Sequence, residues 1–137
     1  AMAARNAPLA EIAQIGSAFD DAERAIRDEA HRALVAMDHR FHGLIAQASR
    51  NAALARILIP LQHKAARFWV FSMGTATEEE RLTDICQHRA IARAIAARDV
   101  EGARSAMMLV LGAMPQTVQR TLSGRPEEDA RVERVSG

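Results

Sequence analysis

Along almost the whole chain apolar residues recur at spacings of three and four, and nowhere do Val, Ile or Thr alternate with polar residues over a strand's length. That period belongs to the α-helix, so the sequence predicts an all-α fold. The breakers agree, since only seven Gly and four Pro punctuate 137 residues. The spacing predicts about five helices, over 8–25, 28–48, 52–73, 78–98 and 100–122. Their starts carry capping signals: Pro8 suits a first turn, Asn51 and Asp99 suit N-caps, and Thr77 with Glu80 forms a capping box. Gly74 is expected to end the third helix, and Pro60 and Pro115 to bend the third and fifth. Short connections imply antiparallel neighbours and hence one compact bundle, expected to occupy 1–124. A charged tail with no helical period follows at 125–137 and reads as disordered.

Composition then removes whole classes of function. Hydrophobic residues make up 49% of the chain, but the longest uncharged stretch, 105–119, is too short for a bilayer and contains Pro115. No membrane role is expected. Eighteen basic against seventeen acidic residues give a charge of +1, which offers no field for a phosphate backbone. The single Cys86 excludes an intrachain disulfide framework, and the first residues lack the apolar core of a secretory signal, so a cytoplasmic location is expected. Ala1 ahead of Met2 reads as a residue left by tag cleavage, and the natural protein is expected to be longer.

The inward stripes are interrupted at three polar positions. On the second helix Asp38 and His42 are four apart, so they point within about 40° of each other beside Leu34, Phe41 and Ile45. On the fourth, His88 falls among Leu82, Ile85, Ile91, Ala92 and Ile95. Two readings stand at this point. One is a divalent metal held by two imidazoles and a carboxylate with a position open for ligand; the other is an Asp38–His42 hydrogen bond beside a separately satisfied core histidine. His31, His39 and His63 read as solvated or rim residues. Arg67, at the edge of a third-helix stripe of Leu54, Ile57, Leu58, Leu61, Ala65, Phe68 and Ser72, is a candidate for meeting an anion. The fifth helix buries Ala103, Ala106, Met107, Val110 and Met114 by the same periodicity. No phosphate loop, Cys-pair zinc site or nucleophile elbow occurs, and the hydroxyls have no evident base partner, so the chain is not expected to be an enzyme.

Two stretches carry a family resemblance. Asp38-His39-Arg40-Phe41-His42, followed by Ala46-Gln47-Ala48-Ser49-Arg50-Asn51, is similar to an Asp-x-x-Phe-His motif with a later Ala-Ser-x-Asn. His88-Arg89-Ala90-Ile91, running on through Ala94-Ile95 and Asp99 to Ala103 and Ala106-Met107, resembles the second. Together, over about 8–122, they resemble the C-terminal effector-binding (FCD) domain of GntR-type transcription regulators of the FadR branch. The resemblance implies a metal site at Asp38, His42 and His88; the family's fourth ligand, a histidine, falls at Val110, which has no lone pair to offer. It also implies a pocket for a small organic acid or acyl effector around Asp38, His42, His88, Arg67 and Val110, and a homodimer.

The family's winged helix-turn-helix and the long helix after it have no counterpart in this sequence, so DNA would be met only through such a module. The implied mechanism is a population shift, in which the effector favours one arrangement of two DNA readers. Zinc, nickel and manganese all suit the donor set. Two rival readings remain, a small metal-dependent helical enzyme and a purely structural interaction bundle.

Overall fold

The computed structural model describes residues 1–123; the expected tail at 125–137 lies outside the described residues. Seven helices and no strand occur among them: α1 Met2–Asn6, α2 Leu9–Gly16, α3 Ala22–Arg27, α4 His31–Ala48, α5 Ala52–Thr75, α6 Glu78–Ala96 and α7 Val100–Ser123. The all-α expectation holds, with two helices more than the periodicity suggested. No described helix is long and apolar enough to cross a membrane.

The extra elements come from the first helix. The segment expected to be continuous over 8–25 breaks between Gly16 and Ala22, and the break turns Ala18 and Phe19 into the core. It also frees the Phe19 carbonyl, which accepts a 2.8 Å hydrogen bond from Arg89 on α6. The other face of that guanidinium grips both carboxylate oxygens of Glu23 on α3. Helical spacing survives a one-turn interruption, so apolar period alone does not reveal the break. Pro8 is the N-cap of α2 and not its first turn. The next helix starts at His31, after Glu29 has stopped α3.

Helix ends follow their local chemistry. Asn51 accepts from the Leu54 amide at 3.0 Å, Asp99 from the Gly102 amide at 2.8 Å, and Thr77 with Glu80 closes a reciprocal capping box. Gly74, expected to end the third helix, is still inside α5, which closes at Thr75. Both α5 and α7 run without a break through their prolines, Pro60 and Pro115. Glu29, Arg50 and Arg98 hold φ of 50°, 58° and 60°, each just after a helix. At Glu29 and Arg98 the next amide bonds back to the carbonyls of Ala25 and Ala94, a Schellman closure made without glycine.

Two hairpins, α4–α5 and α6–α7, form the frame, and α1, α2 and α3 lie across α4 and α6. The core is shared by those five helices together with the first turns of α7, through Ala103, and centres on Ile15, Phe19, Ile26, Leu34, Phe41, Ile85, Ile91 and Ile95. Each long helix of the core has its close neighbour in its own hairpin, so α4 and α6 meet chiefly through side chains. The outer helices are thinly covered. On α5 the only fully buried residue is Ser72, paired with Thr121 of α7 at 3.2 Å, while Leu54, Ile57 and Leu61, expected inside, are exposed. Nothing among the described residues packs over that side of α5, so the stripe is real but faces solvent. Leu82 of α6 is exposed as well.

The αL position at Glu29 gives a direct test. Its exposed side chain has no hydrogen-bond partner recorded, so Glu29→Gly should raise stability by about 0.5–1 kcal/mol in urea melts, by removing the Cβ clash of a left-handed residue. An unchanged or lower midpoint would show that the turn carries no strain.

Candidate metal and ligand site

The hydrogen-bonding period of α4 places Asp38 and His42 on one side, and α6 brings His88 to meet them. Oδ1 of Asp38 lies 3.3 Å from His42 Nε2 and 3.2 Å from His88 Nε2, and the two imidazole nitrogens are 3.3 Å apart. Three inward polar residues from two helices thus converge on one point. Among the described residues they form the one group of three His, Cys, Asp or Glu donors close enough to share an ion.

Their surroundings fix their orientation. Phe41 lies 5.4 Å from the His42 ring and 5.5 Å from His88, and Phe19 lies 5.4 Å from His88, so the trio rests on an aromatic floor. His88 Nδ1 donates to the Asp84 carbonyl at 2.8 Å, with the Asp84 carboxylate 3.5 Å away. That bond keeps a proton on Nδ1 and turns Nε2 towards Asp38 and His42, where Nε2–H donates to Asp38 Oδ1 in the metal-free chain; the carbonyl plays the role of an outer partner for a ligating histidine. Phe19 and Asp84 were not singled out in the sequence. Asp84 was legible as the residue one turn before His88, but Phe19 belonged to a segment that read as plain helix.

Electrostatics tie the trio together. Burial alone would lower the His88 pKa, but the hydrogen bond to Asp38 and the charges of Asp84 and Asp38 outweigh it and push it up to about 9. Burial would likewise raise Asp38, and its hydrogen bonds to the two histidines instead hold it well below the usual carboxylate range. Asp84 is raised, chiefly by burial. A half-buried carboxylate facing two imidazoles is therefore ionised and compensated, with His88 as its main counter-charge.

The donor set fits a divalent ion: one carboxylate oxygen and two imidazole nitrogens, all within 3.3 Å of one another, would hold it.

Beside the trio runs a narrow cleft with apolar walls of Phe19, Leu34, Met73 and Ile85 and three charged groups, Asp38, Arg81 and Asp84. Of the other candidates, Arg67 is exposed on α5 and does not line this cleft. Val110 is half-buried on α7 and packs against the core. His39 stacks edge-on against the exposed His63 with ring centroids 5.8 Å apart, and His31 lies 3.3 Å from the Arg81 guanidinium.

The coupling is testable by NMR in metal-free protein. Asp38→Asn removes the charge that stabilises the imidazolium and leaves only a neutral amide oxygen as acceptor. The His88 titration should then fall from about 9 towards or below the ordinary 6.5. A midpoint still near 9 would show that Asp84 alone sustains it.

Comparison with known proteins places the chain. No curated protein and no solved structure matches it. The family profile described as FCD domain, however, matches residues 1–113, from α1 into the middle of α7 and across all three members of the trio. The chain therefore belongs to the FCD family, the C-terminal effector-binding domains of GntR-type transcription regulators.

Proposed function

We propose that this chain is the ligand-sensing and dimerisation domain of a cytoplasmic GntR-type regulator of the FadR branch. On this reading it binds a small organic acid or acyl group at a metal held by Asp38, His42 and His88. The observation that carries the reading is the convergence of Asp38 Oδ1 and the Nε2 atoms of His42 and His88 at 3.2–3.3 Å, with the His88 ring oriented by the Asp84 carbonyl. A divalent ion there would supply a Lewis-acid centre for a ligand oxygen, and two imidazole nitrogens with one carboxylate oxygen suit zinc, nickel or manganese. On this reading Asp38, His42 and His88 hold and orient the ligand, and the function is binding without turnover. Contact with DNA belongs to a winged helix-turn-helix module outside this sequence.

Zinc titration by calorimetry tests the site. One ion per chain should bind, and His42→Ala or Asp38→Ala should abolish it. Val110→His, which restores the donor that the family resemblance expects on the last helix, should tighten binding about ten- to a thousandfold. If neither the native chain nor Val110→His binds zinc, the trio is a hydrogen-bonded core cluster and the metal reading is wrong.

Self-association is supported by the uncovered faces of α5 and α7. Ile57 and Leu109 are each 69% exposed, and Leu61, Met108 and Leu122 are more than half exposed. Apolar exposure on this scale marks an interaction surface. Sedimentation equilibrium should report a dimer, and the Ile57→Glu, Leu109→Glu double variant should be monomeric with its helix content intact. A monomeric native chain at tens of micromolar would refute dimerisation by this domain.

A further inference from the structure

We infer that the outward face of the α4–α5 hairpin is a phosphate-backbone contact, through which this domain lies against duplex DNA without reading its bases. The net charge of +1 hides a strong segregation. Residues 30–77 carry six Lys or Arg against one acid, Asp38, whereas residues 1–29 carry three Arg against six acids. The one acid of the hairpin is spent inside the fold, on His42 and His88. Its cations are not: Arg50 pairs with Glu11, but Arg32, Arg40, Arg56, Lys64 and Arg67 are exposed and make no ion pair among the described residues. On the acidic side of the molecule and on α6, by contrast, Arg24 and Arg89 each hold a carboxylate.

Helical phase gathers the charges. On α4, Arg32 and Arg40 share one line of the helix with Ala36 between them, and the line runs on to Gly43 and Gln47 without an acid or a large apolar residue. On α5, Arg56, His63 and Arg67 follow one another at seven and four residues, again along one line, with Lys64 beside it. The edge-on contact of His63 with His39 puts that line of α5 on the side next to α4. The hairpin thus presents one positive strip, about 16 Å long on α5 at 1.5 Å per residue. Exposed Leu54, Ile57 and Leu61 lie on the other flank of α5, the flank on which Ser72 meets Thr121 of α7, so the strip is separate from the apolar surface assigned to self-association.

A strip of one sign fits a regular array of the other. Guanidinium forks match phosphate oxygens, and duplex DNA presents on the order of ten phosphates along that length of its axis. A lipid surface fits less well, because it takes apolar residues on the same face as the cations. The family to which the chain belongs also works on DNA. Contacts to phosphate position a protein and carry no sequence information, so base reading stays with the module outside this sequence. The strip adds a second, sequence-independent hold on the same duplex.

The test is fluorescence anisotropy of a labelled duplex of about 20 base pairs, titrated with the whole chain at salt from about 25 to 200 mM. Two unrelated sequences should bind alike, with Kd of about 1–100 µM at the lowest salt and a slope of about −3 to −5 in log K against log salt. The Arg40→Gln, Arg67→Gln double variant should bind at least about tenfold more weakly, with a slope shallower by about 2. Arg93→Gln, at an exposed position on α6, should behave as the native chain. If circular dichroism shows that the double variant loses helix content, Arg56→Gln with Lys64→Gln takes its place.

No binding at the lowest salt, or an unchanged slope in a folded double variant, would overturn the assignment. A difference of more than about tenfold between the two sequences would make the surface a base reader and overturn the backbone role. Binding to phosphatidylglycerol vesicles that the double variant loses, with no binding to either duplex, would assign the strip to a membrane instead.

Discussion

One carboxylate oxygen organises the centre of this protein. Asp38 Oδ1 meets an imidazole nitrogen from its own helix and another from α6, and it does so where α4 and α6 are bridged chiefly by side chains. A charge in that position is tolerable only while both histidines face it. The rest of the arrangement can be read as what holds them there: the Asp84 carbonyl fixes the tautomer of His88, Phe41 and Phe19 fix the ring planes, and the break before α3 delivers Phe19. The Arg89 clamp on Glu23 and the Phe19 carbonyl then ties that break to α6, one residue after His88.

The division of labour among the helices follows. Short α1, α2 and α3 supply the apolar cover for α4 and α6, and through that cover the two site-bearing helices are kept in register. Asn6 donates to the Ser49 carbonyl at 2.9 Å and Glu11 pairs with Arg50 at 2.7 Å, so the N-terminal helices also brace the end of α4. The hairpin partners α5 and α7 contribute less to the interior, and their apolar residues are available for other surfaces.

What the sequence disclosed divides along physical lines. Caps are local, so Asn51, Thr77, Glu80 and Asp99 were legible, and the inward set Asp38, His42 and His88 followed from helical phase alone. Phase says which residues share a side of a helix but not whether another helix covers that side. For this reason Leu54, Ile57 and Leu61 read as core and stand exposed. The break at 17–21 was invisible because the apolar period resumes after it, and glycine was an unreliable marker here, since the left-handed closures fall on Glu29, Arg50 and Arg98 while Gly74 is helical.

The meagre burial of α5 has a consequence for how the interior is reached. A 24-residue helix anchored by one fully buried side chain sits at the low end of the ladder of local unfolding energies, while Phe41, Ile91 and Ile95 place α4 and α6 at the high end. Amide exchange in α5 should therefore outpace that of its neighbours. Peeling α5 back uncovers the outer flank of α4, the helix that supplies Asp38 and His42, without dismantling the apolar centre shared with α1, α2, α3 and α6. At its C-terminal end α5 is held by the hydroxyl pair of Ser72 and Thr121, so opening of this helix would start from its exposed middle and not from that end.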